Sequence, residues 1–313
     1  MIWTMAYSAL VLLGLLVGLG GPSLSPGSNS GPSPSLSQGH GAVADNFASV
    51  AALLEIGVGA RPLGMGGAFT GLADDENAVF YNPAGLAFLE RGGFTSLYSR
   101  QFELVDYAGL GVAGRGAGLN LLQLHSDGIE RANEFGNPLG TSFTYTSRAG
   151  IISAGVALGE GLAFGARLKL YQEVSDGESG LGWALDPAVM LVRKGLRLGA
   201  LLENGLSREI RFESGHAEGW PLSLRLGGSL SLAIWEKTAL SFLLDLSHIL
   251  ASRPQGHLGL ELWVSSLGLR LGCDGTGISF GYSVWMESLR LDWALTAHPQ
   301  LPDSQRLSLT FRF

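Results

Sequence analysis

The chain has 313 residues, 27 acidic and 20 basic, for a formal charge of −7. Glycine fills 47 positions, about twice the usual share of roughly 7%, while charged residues make up 15% and hydrophobic ones 46%. This balance is too apolar for intrinsic disorder, and a pI near 5.4 argues against the basic face of a nucleic-acid binder.

The first charged residue is Asp45. Before it, Ala9–Leu19 is an apolar run, ALVLLGLLVGL, of the length of a signal-peptide core and short for a bilayer span of about 20 residues. The leader MIWTMAYS carries no basic side chain, so the match to a signal peptide over 1–20 is incomplete. Residues 21–44 hold seven Ser, five Gly and four Pro, the composition of a linker left after export. A membrane anchor followed by a stalk is the alternative.

From residue 92 onward the apolar period is two. Leu222, Leu224, Leu226, Gly228, Leu230, Leu232 and Ile234 share one face, and Ser223, Arg225, Gly227, Ser229, Ser231 and Ala233 the other. At about 3.3 Å per residue such a strand crosses a bilayer core even when tilted by about 40°. The alternation returns at 162–171, 240–246, 258–264, 267–273, 289–295 and 306–313. The pattern predicts fourteen strands, over 93–100, 105–113, 116–125, 140–158, 162–171, 181–193, 196–204, 221–234, 238–247, 256–264, 267–273, 277–285, 288–297 and 305–313. Strand four is long, and its apolar phase changes between Tyr145 and Ile152, which predicts a β-bulge near 148–150. A polar face of Gly, Ser and Ala suits a crowded interior, and a Leu-rich face suits lipid. The predicted fold is therefore all-β: a 14-stranded antiparallel transmembrane β-barrel in the outer membrane. Short turns near Glu160, Lys194, Glu236, Ser265 and Glu287 alternate with longer loops, as outer-membrane barrels require. Trp220, Trp235, Trp263 and Trp285 sit at strand ends, where aromatic girdles lie. Cys273 falls in phase with the outward leucines and reads as an inert thiol; as a single cysteine it excludes an internal disulfide.

Residues 45–91 read differently. Phe47–Ile56 could form a short helix, and Gly57, Gly59, Gly64, Gly66, Gly67 and Gly71 permit close backbone approach. No strand–loop–helix unit follows these glycines, so they do not read as a nucleotide loop. Asp74, Asp75, Glu76 and Asn77 lack calcium-loop spacing and read as a solvated turn or helix cap. The stretch GARPLGMGGAFTGLADDENAVFYNPAGLA resembles the N-terminal signature of PorV/PorQ-like outer-membrane proteins, relatives of the FadL-type channels for fatty acids and hydrocarbons. The resemblance runs from about residue 47 to the end and is most specific at 57–86. GIERANEFGNPLGTS, at 128–142, looks like the family's first long outer loop. The resemblance implies an N-terminal plug over 45–91 inside a barrel of 92–313. Its motif residues would be Arg61, Gly64, Gly66, Gly67, Asp74, Asp75, Asn82, Pro83, Ala84 and Gly85. It also implies that Leu309, Phe311 and Phe313 form a signal read by the barrel-assembly machinery, pairing through the last strand.

By strand phase, Arg167, Lys169, Asp186, Arg225, Asp245, Arg270 and Asp292 point inward. They form either a salt-bridged network fixing plug to wall or a polar path for substrate. The six histidines make no HExxH or close metal pair, there is no G-x-S-x-G elbow, and Asp245, Ser247 and His248 cannot share a face as a triad. The expectation is a non-enzyme without cofactor or metal. Two functions remain: passive FadL-like transport of hydrophobic small molecules, or a PorV-like barrel that binds or anchors secreted proteins. A continuous apolar pocket between plug and wall would favour the first.

Overall fold

A computed structural model describes residues 52–101, 104–133, 135–250, 254–275, 277–297 and 302–313. The expected signal peptide, the linker and the start of the first helix lie outside these residues.

Strands β1 (Gly93–Gln101), β2 (Val105–Gly114), β3 (Ala117–Ala132), β4 (Pro138–Ala157), β5 (Leu162–Ser175), β6 (Glu178–Arg193) and β7 (Leu196–Glu203) pair in sequence order. Two short strands, β8 (Leu206–Phe212) and β9 (Ala217–Glu218), branch from β6. The wall resumes as β10 (Ser223–Trp235) beside β7. It continues through β11 (Thr238–Ser247), β12 (Gln255–Val264), β13 (Leu267–Cys273), β14 (Ile278–Met286), β15 (Leu289–Ala297) and β16 (Ser304–Arg312). β16 pairs antiparallel with β1, from Gly93 opposite Arg312 to Arg100 opposite Gln305. That ladder closes a ring of fourteen strands, with β8 and β9 outside it. Closure leaves no free edge within the ring.

The alternation decides which face meets which medium. Leu226, Leu230, Phe242, Leu244, Leu258, Leu269, Leu271, Leu307 and Leu309 are exposed on the outer face. Their odd- or even-numbered neighbours Ser229, Asp245, His257, Arg270 and Ser308 are buried inside. An apolar belt around a closed polar interior is the architecture of a membrane-spanning barrel. Leu244 lies near mid-belt, six residues beyond the start of β11, so Leu244→Arg is expected to cost about 2–4 kcal/mol. Urea unfolding from liposomes measures it; an unchanged midpoint would argue against lipid at this face.

The two ends differ. At the end holding both chain entry and exit, two-residue turns follow β6, β10, β12 and β14, with positive φ at Lys194, Lys237, Ser265 and Glu287. At the other end β3–β4 and β5–β6 are long hairpins, so the loops expected at 128–142 and 172–180 are mostly strand, the second closing at Asp176–Gly177.

The predicted bulge at 148–150 is absent. β4 keeps unbroken register with β5 from Tyr145 to Ala157, and Ser147, Ala149, Ile151 and Ser153 are all buried on the inner face. Ile151 and Ala149 are apolar because they pack on chain inside the barrel, which mimics a phase change. The register shifts fall in β3 instead, between Ser126 and Ile129 and between Glu130 and Ala132.

The tryptophan girdle also fails at three of four positions. Trp263 and Trp285 lie on inner faces, each stacked on a buried arginine, Arg270 and Arg290 respectively at 5.2 Å. Trp220 packs edge-on to Tyr171, with Lys169 over its ring at 5.3 Å. Only Trp235 of the four is exposed. Indole at a strand end serves a cation as readily as an interface.

Candidate functional site

The interior is occupied by the chain's own leading segment. Residues 52–91 form three one-turn helices, α1 (Ala52–Glu55), α2 (Ala60–Leu63) and α3 (Ala78–Tyr81), and a 3₁₀ helix over Pro83–Phe88. Helices this short are not stable alone; they persist here through burial. Met65, Phe69, Leu72, Val79, Tyr81, Ala84 and Leu86 are essentially inaccessible and pack in one core with wall residues Tyr107, Ile151, Met190 and Leu201.

Small residues set how close this segment comes to the wall. A Cβ on Gly66 would lie 2.7 Å from the carbonyl oxygen of Cys273, and one on Gly272 would lie 2.2 Å from the Gly66 nitrogen. Gly71 meets Gly227 and Gly228 in the same way, and Gly64 meets Gly281. Gly67 has φ 78° and faces the His257 ring, while Gly85 backs onto the carbonyl of Ala73. Thus glycine in the segment faces glycine in the wall, backbone against backbone.

Asn82, Pro83 and Ala84 each have a distinct task. Asn82 is fully buried; its Nδ2 donates to the carbonyls of Thr70 (3.0 Å) and of Val189 on β6 (3.3 Å), and its Oδ1 accepts from the Ala84 amide (3.1 Å). That last bond caps the 3₁₀ helix, and Pro83 occupies its first position, where no donor is needed. Ala84 lies where any larger wall residue than Gly165 would strike its backbone.

Charges complete the attachment. Arg61, 5% exposed, grips Glu261 of β12 with Nε and Nη2 at 2.8 and 2.6 Å. Its Nη1 donates to Asp74 (2.6 Å) and Asp75 (2.8 Å). Arg290 of β15 reaches Glu76 (2.6 Å), Asp75 (3.1 Å) and Asp292 (2.8 Å). Arg270 joins Glu261 at 2.7 Å and also bonds Ser283. Asp75 and Glu76 are therefore buried ion-pair members, 1% and 3% exposed; of the solvated turn or helix cap expected at 74–77, the turn forms but is buried, and Asn77 stands at the N-cap of α3.

A second cluster lies across the barrel. Arg167 pairs with Asp186, with Glu203 at 3.0 Å and with the Phe80 carbonyl. Lys169 pairs with Asp186 at 2.8 Å. Separately, Asp245 Oδ2 accepts the amides of Phe69 (3.0 Å) and Thr70 (2.7 Å). Arg225 is half-buried, and its Nε has no hydrogen-bond partner among the described residues. The seven expected inward charges thus fall into separate groups.

Glu203, Glu261 and Arg290 also belong to this lattice, although the sequence did not single them out, and so does Glu76, which the sequence placed only in a turn or helix cap. Glu261 and Arg290 sit in the polar phase of alternating strands, which was the available signal. Glu76 gave none, because a short acidic run reads the same whether solvated or buried.

At the long-hairpin end, His248 follows β11 and meets Glu55 of α1 at 3.3 Å. The hydrogen bond that the His248 ring donates to the Glu55 carboxylate raises the His248 pKa, helped by the charges of Glu55 and Glu203 and opposed by burial and Arg225. A raised pKa means this contact contributes fully below the ordinary histidine value and is lost as pH rises through the higher one. The His248 titration, followed by NMR, is expected to move to lower pH in Glu55→Gln; an unmoved titration would refute the contact.

A crevice lined by Val58, Gly59, Asn77, Thr95, Leu97 and Asn120 runs between segment and wall but has no room for a water molecule. A recess of about 610 Å³ lies instead on the barrel's outer face.

No protein-family model and no curated protein matches the chain. Solved structures do. The Pseudomonas putida toluene transporter TodX superposes with a TM-score of 0.57 at 12% identity, over 82% of this chain and 99% of that one. The Ralstonia pickettii toluene transporter TbuX gives 0.56 at 12%, over 82% and 98%. The monoaromatic hydrocarbon channel CymD gives 0.54 at 12%, over 82% and 97%. The shared property is the fold.

Proposed function

We propose that the protein is an outer-membrane channel for passive entry of hydrophobic small molecules, hydrocarbons or fatty acids, in a plugged form. The observation that carries this reading is the superposition of nearly the whole length of hydrocarbon channels from two organisms onto this chain. The apolar belt and short-turn end support placement in an outer membrane. Residues 52–91 act as the plug in this reading, with Arg61 and Asn82 as its attachments. Their buried lattice holds the closed state, and entry of a hydrophobic solute requires part of it to shift. The outward Leu309, Phe311 and Phe313 are read as the barrel-assembly signal, presented before β16 joins β1.

Uptake of radiolabelled toluene and of a labelled long-chain fatty acid by cells expressing the protein tests the proposal. Faster uptake than in cells with empty vector is expected for at least one of them; equal rates for both would refute it.

The tight fit of residues 57–89, without water-sized room in the crevice described, favours a second reading, a static barrel that anchors secreted proteins. Mild-detergent pull-down recovering exported cargo, together with flat uptake, would select it.

A further inference from the structure

The recess on the outer face lies where β4, β5, β6 and β8 run side by side. Two cross-strand rows frame it. In the upper row Arg148 stands opposite Gln172, Gln172 opposite Leu181, and Leu181 opposite Arg211. In the lower row Gly150 is followed by Leu170, Trp183 and Arg208. Gly150 contributes no side chain and so deepens the floor.

The two arginines of β8 share this face because of a register shift. Leu181 pairs with Arg211 and Trp183 with Arg208, so β8 places one extra residue opposite β6. A bulge of this kind re-aims side chains: Ile210 is fully buried inward, while Arg208 and Arg211 both line the outer recess. Arg148 Nε donates to Gln123 at 3.0 Å, which steadies its guanidinium. Arg211 has one weak carboxylate neighbour, Glu209 at 3.8 Å. Among the described residues no carboxylate bridges Arg148 or Arg208.

Height fixes the medium. Arg148 lies nine residues above the end of β4 at Ala157, about 23 Å along the barrel axis for a strand tilted about 40°. The apolar band of such barrels is about 25 Å tall, so with Ala157 at its lower rim Arg148 lies just inside the upper rim and the lower row about 5 Å deeper, from where long arginine side chains reach the outer headgroups. The row beneath it, Ile152, Leu168, Leu185 and Leu206, is wholly apolar. The row above holds His125 and Thr146, bonded to each other at 2.8 Å.

We propose that this recess binds the anionic phosphate headgroup of an outer-leaflet acyl lipid. The guanidiniums of Arg148, Arg208 and Arg211 take the phosphate oxygens, and the acyl chains lie down the apolar row below. Arg148 and Arg211 are three strand spacings apart, about 14 Å, a span that two arginine side chains close from either side. The site is independent of whether the barrel conducts.

Native mass spectrometry of the full-length protein in mild detergent, titrated with phosphatidylglycerol, phosphatidylcholine or inorganic phosphate, tests it. Phosphatidylglycerol is expected to be retained about tenfold more tightly than phosphatidylcholine. The triple variant R148Q/R208Q/R211Q should lose about a hundredfold in that affinity, whereas R115Q, in the β2–β3 turn at the opposite end, should lose none. Heat-modifiable electrophoretic migration reports whether the triple variant is folded; should it fail to fold, R208Q alone should lose about fivefold. Equal retention of the two lipids, or full affinity in the folded triple variant or in R208Q, would overturn the proposal. So would displacement of phosphatidylglycerol by equimolar inorganic phosphate, since the recess would then be a site for a free anion.

Discussion

Replacing Arg61 with Met is expected to loosen the inner segment and cost about 3–5 kcal/mol, the usual penalty for removing one partner of a buried charge pair. Asp75 and Glu261 would be left at 0% and 2% side-chain exposure, with Arg290 and Arg270 respectively as their remaining cations. The loss should appear as a lower urea midpoint and as protease cleavage within residues 52–91. In planar bilayers the variant is expected to pass more ions than the parent. Pairing the change with Glu261→Gln separates the bidentate contact from the rest, because a double-mutant cycle isolates their coupling. If Arg61→Met matches the parent in midpoint and conductance, the guanidinium is not the attachment.

The second large effect is steric. Gly71→Val would drive a Cβ to 2.6 Å from the Gly228 nitrogen. Backbone in a hydrogen-bonded wall cannot yield as a side chain can, so the cost should reach about 3 kcal/mol or more, at the upper end of overpacking penalties. Gly114→Val is the matched control, since a Cβ there meets nothing within 4 Å. Protease sensitivity of the inner segment and the denaturation midpoint should both change in Gly71→Val and stay at parent values in Gly114→Val. Equal behaviour of the two variants would show that the segment does not press on β10.

The wall was legible in the sequence because one rule governs it. Lipid outside and polar chain inside impose period two over most of the barrel, and strands such as Leu267–Cys273 and Leu289–Ala297 follow it without interruption. The rule falters where its premise fails. Ile151 and Ala149 are apolar yet inward because Val79, Phe80 and Leu86 face that side. Trp263 and Trp285 lie at strand ends yet point inward because buried arginines lie beneath them. Within the site, Arg61 and Asn82 stood out through the family-like stretch, but their partners are 200 and 107 residues away, Glu261 and Val189. Pairing across such separations leaves no local pattern to read. Glu203 shows this best: it ends β7 beside Asn204, looks like a turn residue, and holds Arg167 from across two strands.

The ladder between Gly93 and Arg312 also has a temporal meaning. Its two partners are separated by almost the entire length of the ring, so loop-closure entropy makes it among the slowest contacts to form. Residues 52–91 precede that seam and are bonded to β12, β15 and β16 through Glu261, Arg290 and Ser308. On these grounds the expected order is that the segment docks while the cylinder is still an open sheet and the seam closes after it.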